Sequence, residues 1–177
     1  MGRNYKTSNS SNSKHTVEQW EVRDYFKPGD IGSITSLQGT TYAKEYGYDT
    51  TFETYVAKGL AQFVQSFNPK KEKLWIVEKN NRIIGFIAVV SHSKKEAHLR
   101  WFFVHPDYRS QGIGKHLLTE AIEFCKQQSY ETVFLWTTSE LTTAHHLYSS
   151  AGFKKTEDNT HEIWGKTVTE ERYDIQL

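Results

Sequence analysis

The sequence predicts an α+β domain: a mostly antiparallel mixed sheet with helices on both faces. Two observations carry this prediction. Apolar residues recur at helical spacing in four stretches, with strand-like β-branched and aromatic runs between them. The two patterns do not simply alternate, because three strand-like runs follow one another directly, which argues against a repeated βαβ plan.

The elements follow in order. Val17 to Arg23 alternates in polarity and reads as a first strand. Lys27-Pro28-Gly29-Asp30 is a turn before a helix over about Ile31 to Tyr46, which breaks at Gly47. Phe52, Val56, Leu60, Phe63, Val64 and Phe67 share one face of a second helix, stopped by Asn68-Pro69. Leu74–Lys79 and Arg82–Ser91 are strands joined by Asn80-Asn81, a dipeptide suited to a hairpin turn. Ala97–Val104 is a third strand, ended by His105-Pro106. Ile113, Leu117, Leu118, Ala121, Ile122 and Cys125 mark the inner face of a helix beginning near Gly112. Thr132–Thr137 reads as a buried strand, and Thr142–Ala151 as a short helix closed by Gly152. Phe153–Glu157 and His161–Thr167 read as a final hairpin.

Length and composition bound the function. A chain of 177 residues predicts a single domain over 15–177, large enough to bury a core, preceded by a polar, disordered tail at 1–14. Twenty-two basic against 21 acidic residues give no field for coating nucleic acid. The longest apolar run, Ile83–Val90, is too short for a membrane span, and no secretory leader is visible. Cys125 is the only cysteine, so an intrachain disulfide and a multi-cysteine metal site are excluded, and a cytoplasmic setting is expected. His145-His146 lacks the spacing and acidic partners of a metal site and reads as a solvated helix face.

The stretch that speaks of chemistry is Arg109-Ser110-Gln111-Gly112-Ile113-Gly114, between a strand and a long amphipathic helix. Glycines allow unusual dihedrals and a close approach to a ligand. The unpaired N–H groups of the helix start favour an anion such as a phosphate or pyrophosphate, with Arg109 and Lys115 beside it. A Walker loop is excluded because Arg109 stands where its first glycine belongs and His116 where Ser or Thr is needed. A dinucleotide fingerprint is excluded because its third glycine is Leu117 here.

Arg-x-x-Gly-x-Gly after a strand ending Phe-Phe-Val-His-Pro resembles the pyrophosphate loop of the GCN5-related N-acetyltransferases (GNAT). The later Ala144-x-x-x-Tyr148-x-x-x-Gly152-Phe153 resembles a second motif of that family, in the expected order. The resemblance runs from Val17 to about Lys166 and implies the acyl-CoA N-acyltransferase fold. Segments such as Tyr42-Ala43-Lys44-Glu45-Tyr46-Gly47 and Leu99-Arg100-Trp101 are further similar to the acetyltransferase half of MarR-like regulator–acetyltransferase fusions. This chain is too short to hold the winged-helix half as well.

The resemblance implies acetyl transfer from acetyl-CoA, without a metal, to the primary amine of a small molecule through a tetrahedral intermediate. An amino acid or related metabolite is one candidate acceptor. A peptide acceptor and a non-catalytic acyl-CoA sensor are the alternatives. It implies a gap between Ala97–Val104 and Thr132–Thr137 that admits pantetheine, with the backbone of Phe103 and Val104 pairing to it. The same backbone would polarise the thioester carbonyl. Pyrophosphate would lie on the N–H groups of Gln111, Gly112, Ile113, Gly114 and Lys115, beside Arg109 and Ser110. Tyr148 stands where many relatives protonate the leaving thiolate; it can equally be a helix tyrosine packed on pantetheine. His98 stands where many relatives carry a Glu base, and Glu45 is a second candidate; His98 can equally be a surface residue. Arg100 points to the same sheet face as His98 and suits a carboxylate, or a structural ion pair. Tyr42, Tyr46 and Trp101 either line the acceptor pocket or belong to the core. Leu141 departs from the family, where Asn is frequent, so its CoA contact falls to Thr137 or Ser139. Relatives are often dimers, which makes a homodimer an expectation; neither nucleic acid nor membrane is an expected partner.

Overall fold

The computed structural model describes residues 20–177. The expected tail at 1–14 and the start of the expected first strand at 17–19 lie outside the described residues. The chain runs β1 (Glu21–Arg23), α1 (Asp30–Tyr46), α2 (Thr50–Gln65), β2 (Lys73–Lys79), β3 (Arg82–Ser91) and β4 (Glu96–Val104). After a 3-10 turn at Pro106–Tyr108 come α3 (Ile113–Gln127), β5 (Thr132–Thr138), α4 (Thr142–Ser150), β6 (Lys154–Ile163) and β7 (Lys166–Gln176). The seven strands form one sheet in the order β1-β2-β3-β4-β5-β7-β6. Only β4 and β5 pair in parallel.

Local chemistry explains most boundaries. Asn80 and Asn81 take φ of 52° and 58°, the left-handed pair that a tight hairpin requires. Asp49 caps α2 by accepting the Thr51 N–H at 2.9 Å. Gly152, at φ 97°, ends α4. The last hairpin departs from the sequence expectation. Its strands are longer, and its turn is Trp164-Gly165, left-handed at φ 53° and 81°. The run Glu157-Asp158-Asn159-Thr160 looks like a turn because it is polar. It is polar because β6 is an exposed sheet edge, where charges block pairing with another chain.

Two cores lie on opposite faces of the sheet. One packs α3 and α4, through Ile113, Leu117, Leu118, Cys125 and Tyr148, onto Val89, Leu99, Val133 and Leu135. The other packs α1 and α2, through Ile34, Phe52, Val56, Leu60 and Phe63, onto Ile76, Phe86, Ala88 and Phe103. Burial of such aliphatic and aromatic side chains contributes roughly 1.5–3 kcal/mol each.

The centre of the sheet is deliberately irregular. β4 pairs with β5 only from Glu96↔Thr132 to Leu99↔Leu135. Against β3 the register passes from Ala88↔Arg100 to Phe86↔Phe103, so β4 carries one extra residue there. Trp101 sits in this bulge at φ 49°. Leu99 faces the α3 core, whereas Trp101 and Phe103 face the α1–α2 core, so the bulge reverses the side-chain alternation. Beyond Leu99 the strands separate and a cleft opens.

Candidate active site

The cleft is a cavity of about 580 Å³, within the range of small-molecule sites. It begins at the turn before α3, passes the divergent ends of β4 and β5, and reaches a ring-lined chamber beside α1 and α2.

At the first end, Ser110 and Gly112 take φ of 61° and 84° and turn the chain onto α3. No side chain caps this helix among the described residues, and a Cβ placed on Gly112 would meet nothing within 4 Å. The backbone there is open to an anionic ligand. Gly114 is small for another reason: its Cβ would stand 3.2 Å from Leu147, so it sets the approach of α3 to α4. Arg109 donates to Val104 O at 3.2 Å and grips both carboxylate oxygens of Glu45 at 2.7 and 2.8 Å. It thereby ties the loop to α1.

In the middle, Phe103 and Val104 border the cavity from β4, Leu135 to Thr138 from β5, and Tyr148 from α4. Tyr148 is 5% exposed and packs beside Phe102, Phe153 and Tyr173. Burial, with Tyr42 and Tyr173 nearby, raises its pKa far above that of a free phenol. Its hydroxyl is therefore protonated throughout the working pH range. Trp101 Nε1 and Thr137 Oγ1 belong to cavity-lining residues and are buried without a partner. Buried polar atoms left unpaired in this way suit a wall that a polar ligand completes.

At the far end Tyr42, Tyr46, Tyr48, Tyr55 and Trp164 form the chamber. Tyr48 and Trp164 rings stand 5.0 Å apart, Tyr42 and Tyr46 rings 5.2 Å apart. Tyr48 Oη is hydrogen-bonded to Thr138 Oγ1 at 3.0 Å and to the Glu140 carboxylate at 3.1 Å, with its one proton serving one of them, and Lys166 binds Glu140 at 2.6 Å. His98 stacks on Phe134 at 4.3 Å. Burial, then the charges of Arg100, His92 and Arg172, push its pKa down to about 3, so the ring is neutral. Arg100 lies over the Trp101 ring at 4.4 Å and donates to Tyr55 Oη at 3.1 Å.

Of the residues expected from sequence, Tyr148, His98, Phe103, Val104, Arg109, Ser110, Gly112, Gly114, Lys115, Thr137, Arg100, Tyr42, Tyr46 and Trp101 all border this one cavity. Glu45, Gln111 and Ile113 do not. Glu45 stands behind Arg109, and the Ile113 side chain is core. Sequence reasoning missed Tyr48, Tyr55, Trp136, Glu140, Trp164 and Glu170 as wall residues. The Trp164-Gly165 pair was a usable turn signal that would have drawn Trp164 out of the strand. Among the described residues no cluster of three metal-type ligands occurs, and no helix is long and apolar enough to cross a membrane.

Comparison with known proteins agrees with this architecture. Residues 31–153 match the model of the acetyltransferase (GNAT) family. An uncharacterised N-acetyltransferase of Methanocaldococcus jannaschii is 31% identical over 150 residues, covering 80% of this chain and 63% of that one. N-acetyltransferase 8 of Homo sapiens is 31% identical over 99 residues, covering 53% and 44%. The chain thus spans about half to under two thirds of the length of these curated relatives. In fold it is similar to a GNAT-family acetyltransferase of Staphylococcus aureus, with TM-score 0.73 and 19% identity over 90% of this chain and 99% of that one. It is also similar to a putative acetyltransferase of Salmonella typhimurium solved with acetyl-CoA, with TM-score 0.67 and 16% identity over 89% and 94%. With the family model matching more than half of its length, this chain belongs to the GNAT acetyltransferase family.

Proposed function

We propose that the protein transfers acetyl from acetyl-CoA to the primary amine of a small molecule. The observation that carries this reading is the continuity of one cavity from an uncapped helix start, past the β4–β5 divergence and Tyr148, to an aromatic chamber. When bound, acetyl-CoA supplies a thioester whose acetyl carbon is open to attack by nitrogen. The N–H groups from Gln111 to Lys115 hold the pyrophosphate, with Arg109 beside it and still paired with Glu45. The backbone of Phe103 and Val104, freed from β5 by the bulge, pairs with the pantetheine arm and polarises the carbonyl.

Attack by nitrogen would form the C–N bond in a tetrahedral intermediate, and collapse of that intermediate would break the C–S bond. Tyr148, placed beside this path, gives its proton to the departing sulfur. Solvent then reprotonates Tyr148 and takes the proton released from nitrogen. Neither base candidate is well suited to a larger role. His98 is a weak base at a pKa of about 3, and both Glu45 oxygens are held by Arg109. In this reading the amine reacts in its free-base form, and His98 serves as a neutral wall group.

The ring-walled chamber favours a small acceptor over a peptide, which needs an open groove. Likeness to the acetyltransferase half of regulator fusions and a cytoplasmic setting belong to this reading as well. Calorimetric titration with acetyl-CoA, followed by a thiol-release screen of amines, tests it. Micromolar binding with turnover of an amine is the expected result. Binding without turnover on any amine or peptide would favour a sensor. No binding at millimolar acetyl-CoA would overturn the proposal.

A further inference from the structure

We infer that the acceptor is an amino carboxylate whose anionic end docks on Arg100. This inference deepens the acetyltransferase reading and rests on it. Arg100 borders the cavity at its aromatic end. Its guanidinium is fixed from two sides, by the face of Trp101 and by the hydroxyl of Tyr55. The floor is fixed too, since a Cβ on Gly59 of α2 would stand 3.0 Å from Arg100 Nη2. Only one of its five donors is used by these contacts.

Arg100 has no acidic partner among the described residues. The other arginines around it differ: Arg109 is paired with Glu45, and Arg172 with Glu96 and Asp174. A positioned guanidinium that borders a cavity and has no acidic partner among the described residues is a site for an anion. The size of that charge follows from its neighbours. His98 contributes no second positive charge. The two acidic residues of the wall have partners of their own, Glu140 in Lys166 and Glu170 in His161. One cation therefore faces one negative charge, which fits a carboxylate better than a phosphate. The remainder of the acceptor then lies against Tyr55, Trp136 and Trp164, which suits an apolar side chain.

The test compares each of the twenty common amino acids with the amine formed by removing its carboxyl group. Acetylation is followed by thiol release in the wild type, R100Q and R100K. The readout is the ratio of kcat/KM for each amino acid to that of its amine. This ratio is independent of the fraction of enzyme that is folded. At least one pair is expected to favour the amino acid by roughly 10-fold to 100-fold in the wild type, with the difference in KM. In R100Q that ratio falls by at least roughly 10-fold from its wild-type value, to the level that amine basicity alone sets, and R100K restores part of the loss. Amines equal to or better than all their amino acids, or a ratio unchanged in R100Q, would overturn the inference. If acetyl-CoA fails to bind, the enzyme reading falls by itself. Calorimetry of the same pairs with the wild type and R100Q then decides the carboxylate site separately.

Discussion

At the scale of single residues, burial determines what Tyr148 and His98 can do. Tyr148 keeps its proton because its surroundings penalise the phenolate. Replacing it with Phe keeps the ring contacts with Phe102 and Tyr173 and removes only the hydroxyl. Tyr148→Phe is expected to lower kcat by about 10² or more while acetyl-CoA still binds, as stopped-flow turnover and calorimetry would report. His98 offers a thermodynamic test. Its folded pKa of about 3 lies below the ordinary value of 6.5. As pH falls below that ordinary value, the unfolded chain takes up a proton that the folded chain refuses. Stability is therefore lost, by no more than about 1.4 kcal/mol per pH unit, until the folded pKa is reached. His98→Gln removes this contribution. Between pH 7 and pH 4 its urea midpoint is expected to fall less than that of the wild type; equal falls would mean that the ring is solvated and protonated in the folded protein.

At the scale of elements, the site is made where regular structure is interrupted. The turn before α3 and the bulge in β4 are both built on left-handed residues, Gly112 and Trp101. The first was legible in the sequence, because the two glycines stand between a strand and an amphipathic helix and resemble a family loop that a second motif follows in order. The second was not, because Trp at positive φ has no local signature: the bulge arises from the register imposed by β3 and from the packing of Trp101 against Phe63. The pairing of Glu45 with Arg109 was equally hidden, being a contact between residues 64 apart. The helix start separates charge from backbone strain. Gly112→Asp places a negative side chain at the anion site and is expected to weaken acetyl-CoA binding at least about 30-fold. Gly112→Asn has nearly the same shape and the same tolerance of positive φ without the charge. It is expected to retain most of the affinity. Equal losses in the two variants would assign the effect to the backbone and argue against an anion at this turn.

At the scale of the whole molecule, the two cores divide the labour. The α3–α4 side carries the uncapped helix start and Tyr148, and the α1–α2 side carries the aromatic chamber. The layered architecture and the order of all but the last strands were legible, because each helix and buried strand carries its own periodicity. The last hairpin was misread because an edge strand is polar for reasons of solubility and so resembles a loop. Its true turn links the sheet to the chamber. Trp164 O accepts the Asp49 N–H at 3.0 Å, and Gly165 leaves room for the Asp49 side chain, which would stand 2.8 Å from a Cβ. One added side chain at Gly165 therefore acts at two distances. Gly165→Val must strain a residue at φ 81° and push away the α2 cap, at a cost of roughly 2 kcal/mol together. It also displaces Trp164 from its contacts with Tyr48 and Phe52. The expected variant is folded but less stable, with acceptor KM raised several-fold and acetyl-CoA affinity near that of the wild type. The turn before α3 is held by α3 and by the Arg109–Glu45 pair rather than by the last hairpin, so acetyl-CoA and acceptor affinities are expected to respond separately. If acetyl-CoA affinity fell in parallel with acceptor affinity, the chamber and the helix start would form one cooperative unit, and the division between the two faces would be wrong.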